Sequence, residues 1–193
     1  PIKSNNHKSK GTVRMFSNAC KATDLAIIEN ARAFASDSVA PVIETWETSR
    51  SVPIDLLRMG ISEFGGLLVP EALGGKDVSV RVAASVLAAI ARVDLAFAFS
   101  LVVQLNLTGA IARRGSTRHQ ERYLASMMTG RLIGAFCLTE PSAGTDAAAL
   151  QTMARRTADG PWSISGQKAW ITNGAVADLF CVYSQKEIHT GGI

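Results

Sequence analysis

Residues 135–146 read AFCLTEPSAGTD, an apolar run that stops at Thr139-Glu140-Pro141 and is followed by Ser142, Ala143, Gly144, Thr145 and Asp146. A run of that kind predicts a buried strand that ends in a loop. The loop offers hydroxyls at Thr139, Ser142 and Thr145, and the small Ala143 and Gly144 leave room for backbone N–H groups to approach a ligand rich in acceptors, such as a cofactor or a phosphate. Taken alone, a Pro-Ser-Gly surface turn accounts for the same residues equally well. The rest of the chain decides between the two.

Around this stretch the texture is that of a β domain. LIGAFCL (132–138), QTMARRT (151–157), WSISGQKAWIT (162–172) and DLFCVYSQ (178–185) are short and rich in β-branched and aromatic residues, which predicts strands. ADGPW (158–162) and TNGA (172–175) carry turn signals between them. In GQKAWITNG (166–174), a strand would set Trp170 and Thr172 on one face, an aromatic slab beside a hydroxyl. That pairing suits a flat ring with acceptors along its edge.

On the N-terminal side the chain reads as helical. Asp24 is placed to cap a helix over 25–39, which Pro41 interrupts, and a short helix follows with Pro53 in its first turn and Gly60 past its end. GGLLVPEALGGKDVS (65–79), with four Gly and one Pro, is a loop. From Val80 to Ala112 the chain is mostly apolar, without a charge between Asp94 and Arg113. Ser100, Gln104, Asn106, Thr108 and Gly109 interrupt the run, so a buried central helix is expected rather than a membrane span. On it Ser100, Gln104 and Thr108 form one polar stripe, read either as satisfied core groups or as one wall of a ligand cleft. Thr117 with Gln120 resembles a capping box for a last helix that Gly130 ends.

The chain is therefore read as α+β: a basic tail over 1–22, disordered by composition, a helical domain over 23–131, and the first part of an antiparallel β domain over 132–193. About sixty residues is thin for such a domain, so the sequence reads as cut short. Of its 193 residues 47% are apolar, enough for a sizeable core, and the net charge of +4 lies in the tail, since residues 24–193 hold fifteen basic and sixteen acidic side chains. Nucleic acid is not an expected partner. Cys20, Cys137 and Cys181 are far apart and have no His at ligand spacing, which speaks against a disulfide framework and a metal site. A cytoplasmic location, or an organelle matrix, follows as the expectation.

AFCLTEPSAGTD followed by GQKAWITNG resembles the two flavin-contact motifs of the acyl-CoA dehydrogenase family, and VPEALGG (69–75) resembles a loop of its N-terminal helical domain. The resemblance covers about residues 24–185. It implies FAD as cofactor, with Phe136, Leu138 and Thr139 meeting the isoalloxazine from the first motif and Trp170, Ile171 and Thr172 bordering it from the second. Thr145 stands where the family usually has Ser and would touch the pantetheine side of an acyl-CoA; Ser100 and Gln104 are its further candidate contacts. The implied reaction is α,β-dehydrogenation of the thioester, with an electron-transferring flavoprotein as acceptor and a homo-oligomer, dimer or tetramer, as the assembly. The family's catalytic Glu belongs to a C-terminal helical domain, so no catalytic residue is expected within this sequence, and Glu140 and Asp146 are expected to be structural. A naturally short, non-catalytic flavin or acyl-CoA binder, or an oxidase or monooxygenase on the same fold, are the alternatives.

Overall fold

The computed structural model describes residues 22–51, 53–157 and 160–186; the basic tail, Cys20 and the closing HTGGI lie outside them. Helix α1 (Ala22–Phe34) includes Asp24, which sits in its first turn near the positive end of the helix dipole. Pro41 does not stop the chain. A π-helical turn (Ala35–Val39) and a 3-10 turn (Ala40–Val42) lead into α2 (Ile43–Ser49), and Pro41 falls in the first positions of the 3-10 turn, where its missing N–H is tolerated.

Helix α3 (Ile54–Phe64) runs past Gly60, contrary to expectation. A Cβ at Gly60 would lie 3.2 Å from the Phe97 ring and 3.3 Å from that of Phe34, so this glycine marks close packing rather than a helix end. Helices α4 (Val80–Ala91) and α5 (Leu95–Arg114) are each capped by the residue before them: Ser79 accepts from Val82 N, and Asp94 from Phe97 N at 2.6 Å. The final helical stretch comprises α6 (Thr117–His119), a π turn (Gln120–Leu124) and α7 (Ala125–Met128). Its cap is Ser116, one residue earlier than the sequence suggests, and the Gln120 amide donates instead to Ala112 O.

Leu57, Ile61, Phe64, Val86, Ile90, Leu101 and Leu105 form the center of the helical core, with Phe34 edge-on to Phe64 at 5.5 Å. Helix α5 is long and apolar enough to cross a membrane, yet 56% of its most apolar window is buried inside the protein, which fits a core helix.

The strands are β1 (Gly134–Cys137), β2 (Met153–Arg156), β3 (Trp162–Ser165), β4 (Leu179–Val182) and β5 (Gln185–Lys186). Among the described residues β2 and β3 pair antiparallel, and β1–β4 and β2–β5 are parallel. The expected antiparallel pairing is present at β2–β3, while β1 and β4 run parallel because a long crossover joins them. Val103, Leu107 and Met127 pack with Phe136, Leu179 and Cys181, so α5 and α7 form the floor under β1 and β4. Arg58 fastens the junction: its guanidinium donates to Gly130 O (2.6 Å), Arg131 O (2.9 Å) and Asp178 Oδ2 (3.1 Å), and the same Asp178 oxygen accepts from Ile133 N.

Candidate functional site

Strand β1 delivers Leu138, Thr139 and Glu140 into a loop that folds on itself. Glu140 N donates to Ala143 O at 2.8 Å and Ala143 N to Glu140 O at 3.2 Å, so Ala143 is buried and its N–H is already committed. Pro141, Ser142, Gly144 and Thr145 are the exposed part of the loop, and nothing lies within 4 Å of a Cβ built on Gly144. Asp146 caps the 3-10 turn Ala147–Ala149 by accepting from Ala148 N at 3.1 Å.

Glu140 is buried at the foot of the loop. Its carboxylate accepts from Gln151 N (2.6 Å), Thr152 N (2.9 Å) and the Lys168 ammonium (2.9 Å). The Thr152 hydroxyl beside it, whose geometry falls short of a hydrogen bond, the Gln151 N–H, Lys168 and the Thr152 N–H hold its pKa down to about 2, against burial, which works the other way. A carboxylate so occupied is a fastening.

Lys168 is the other half of that fastening, and sequence reading missed it. Besides Glu140 it donates to Leu138 O at 2.9 Å, while Ala169 N donates to Thr139 O at 3.0 Å. Segments 138–140 and 168–169 are thus closed against each other, and the two motifs that lie thirty residues apart in sequence form one edge. The carbonyls of Leu138 and Thr139 are consumed in doing so.

Residues 166–172 do not form a strand, which corrects the expected alternation of Trp170 and Thr172 on one face. The chain curls because Trp170 has φ 57° and Asn173 φ 63°. Trp170 is 92% exposed; Ile171 and Thr172 are half-buried. Among the described residues no hydrogen bond engages the hydroxyls of Thr139, Thr145 or Thr172, so all three remain available to a ligand. Phe136 is half-buried, its ring 4.7 Å from that of Tyr183.

The polar stripe on α5 resolves differently. Gln104 is fully buried; its Nε2 donates to Met127 O (2.8 Å) and Leu132 O (3.0 Å), and its Oε1 accepts from Gly134 N (2.7 Å). The expected ligand contact at Gln104 is therefore corrected: it is a satisfied core group that ties α5 and α7 to the start of β1. Thr108 is likewise spent on Gly65 O at 2.9 Å. The Ser100 hydroxyl donates within its own helix to Ala96 O, and its carbonyl accepts from the Asn173 amide. Burial pushes the thiol pKa of both Cys137 and Cys181 up, and both are free.

An open edge of unclaimed hydroxyls beside an exposed indole can take a planar, acceptor-rich group. The N-terminal domain of acyl-CoA dehydrogenase matches residues 21–131, and its middle domain residues 135–193. The mitochondrial 2-methylacyl-CoA dehydrogenase of Solanum tuberosum is 32% identical over 167 residues, which are 84% of this chain and 40% of that protein. Butyryl-CoA dehydrogenase from Megasphaera elsdenii superposes with a TM-score of 0.83 at 26% identity, covering 91% of this chain and 47% of that one. A glutaryl-CoA dehydrogenase from Mycobacterium smegmatis, solved in complex with FADH2, gives 0.80 at 27% identity, covering 86% and 43%. The chain spans less than half the length of these relatives. With family matches that together run from residue 21 to residue 193 almost without a break, the chain belongs to the acyl-CoA dehydrogenase family.

Proposed function

We propose that this chain supplies the flavin-facing edge of an FAD-dependent acyl-CoA dehydrogenase, the whole protein introducing a double bond between the α and β carbons of an acyl-CoA thioester. The observation that carries the reading is the closure of segment 138–140 on segment 168–169 through Lys168 and Ala169, which sets Thr139 beside the residue that precedes Trp170. FAD would be held there by Phe136, Leu138, Thr139, Trp170, Ile171 and Thr172. Bound there, FAD would supply the two-electron acceptor that α,β-dehydrogenation of the thioester needs.

The chain's own contribution is positioning and charge. Thr139 and Thr172 present donors that no internal partner claims, so they can meet charge that develops on a ligand without first breaking another bond. Thr145, at the open end of the loop, and Ser100, on the α5 side, would line the path of the acyl-CoA. Glu140 is not proposed as the base, because a carboxylate with a pKa of about 2 and its oxygens occupied takes up a proton poorly at neutral pH. The base, an electron-transferring flavoprotein as acceptor, and a homo-oligomeric assembly complete the reading from outside these residues. Helix α5 carries no basic side chain between Arg92 and Arg113, which favours an acyl group without a second carboxylate.

The test is anaerobic addition of butyryl-, octanoyl- or glutaryl-CoA to the purified whole protein loaded with FAD. Loss of the flavin's visible band with the first two and little with the third is expected. A protein that takes up no flavin would sink the reading, and preference for glutaryl-CoA would sink its substrate part.

A further inference from the structure

Trp170 is 92% exposed, so its indole is not held in place by packing, and its backbone lies at φ 57°, a costly conformation for a bulky residue. The hydrogen bonds inside the turn, Gly174 N to Ile171 O and Val176 N to Asn173 O, both 2.9 Å, close it locally without fastening it to the rest of the fold. Its entrance is held by Ala169 N on Thr139 O. Beyond the turn Val176 packs against the helical core and Asp178 N and Leu179 N both donate to Ile133 O, while within the turn one side chain reaches the rest of the fold. Asn173 Nδ2 donates to Gly134 O of β1 at 3.1 Å and to Ser100 O of α5 at 3.3 Å. Gly134 is in turn gripped at its N–H by Gln104 Oε1. The carboxamide therefore ties the turn to a residue that the core already fixes.

We propose that Asn173 is a positioning residue: its carboxamide fastens the 170–174 turn to α5 and β1 and so sets the place of the Trp170 indole and the Thr172 hydroxyl at the flavin. The proposal rests on the flavin reading above. Asn combines two properties that the site needs. It tolerates φ 63° better than most residues, and its amide nitrogen has two hydrogens for two carbonyls. Glycine would keep the first property and lose the second. Aspartate would keep the shape and turn an acceptor toward two carbonyl oxygens.

The experiment compares the whole wild-type protein with Asn173→Gly and Asn173→Asp by amide hydrogen exchange of the flavin-free form, by FAD dissociation constant from flavin fluorescence, and by thermal midpoint. Both variants should exchange faster across 170–176 and bind FAD about tenfold more weakly. The thermal midpoint of the flavin-free glycine variant should stay near that of the wild type, which separates a local tether from a general contribution to folding. If the residue is there only for its backbone angles, Asn173→Gly will match the wild type in exchange and in FAD affinity, and the proposal is overturned while the flavin reading stands. Wild-type protein that takes up no FAD would overturn both. Should the aspartate variant not fold, the glycine variant decides alone, because glycine accepts the same backbone angles.

Discussion

Replacing Gln104 by Leu tests whether the buried amide, rather than a ligand, accounts for the polar stripe of α5. Leucine fills nearly the same volume and removes all three hydrogen bonds of 2.7–3.0 Å, leaving the Gly134 N–H and the carbonyls of Met127 and Leu132 without this partner in the interior. At about 1–3 kcal/mol for each stranded buried group the loss sums to about 3–9 kcal/mol. The apolar side chain returns about 1.5–3 kcal/mol, so a net loss of about 0–7.5 kcal/mol, centred on about 4 kcal/mol, is expected. That is a large share of the about 5–15 kcal/mol that holds an ordinary domain folded. Urea unfolding followed by circular dichroism reads it as a lower midpoint with an unchanged slope. Gln104→Glu sharpens the test. An ionised carboxylate would face two carbonyl oxygens, whereas the protonated acid can donate to one of them. The introduced carboxyl should therefore have a raised pKa in the folded state, and the variant should lose stability as the pH rises through that value. An unfolding midpoint equal to that of the wild type for Gln104→Leu, or a pH-independent difference for Gln104→Glu, would refute the assignment.

Glu140 has a folded pKa of about 2 against an ordinary value of 4.5, so its contribution to stability is fully present above the ordinary value and is lost as the pH falls toward 2. Thermal midpoints measured over that acid range should fall less steeply in Glu140→Gln than in the wild type; parallel curves would contradict the fastening role. Gly134→Ala places a methyl 2.5 Å from Leu107 Cδ1 and 3.2 Å from Met127 Cε and should cost about 1–3 kcal/mol by overpacking. Gly144→Ala, which meets nothing within 4 Å, should shift stability by less than about 0.5 kcal/mol; equal effects of the two in denaturant unfolding would count against the packing described at the start of β1.

The helical half was legible where local signals and packing agree. The apolar run over 80–112 was legible as buried helix; Ser79 and Asp94, not singled out in the sequence, cap the two helices into which it divides. Pro41 and Gly60 misled because their local meaning was overridden: the proline opens a 3-10 turn between two helices, and the glycine admits the rings of Phe34 and Phe97, a contact that sequence spacing does not encode. In the β half, Trp, Ile and Thr at 170–172 carry strand propensity, but the left-handed angles at Trp170 and Asn173 bend the chain, and only the TNGA turn signal hinted at it. Parallel pairing of β1 with β4 is non-local and left no mark in either segment. The family was readable from the motifs, as its N-terminal and middle domains match the chain. The side chains that bring them together, Lys168, Asn173 and Arg58, were not, because their partners lie 28 to 120 residues away.

The central claim is that Thr139, Trp170 and Thr172 form one flavin-holding edge. Titration of flavin-free whole protein with FAD, comparing the wild type with Trp170→Ala and Thr172→Val, tests it most directly. The account predicts one FAD per chain, binding weakened by about 1–3 kcal/mol on loss of the indole and by about 0.5–1.5 kcal/mol on loss of the hydroxyl. Absence of FAD binding in the wild type, or the same dissociation constant in all three proteins, would contradict it.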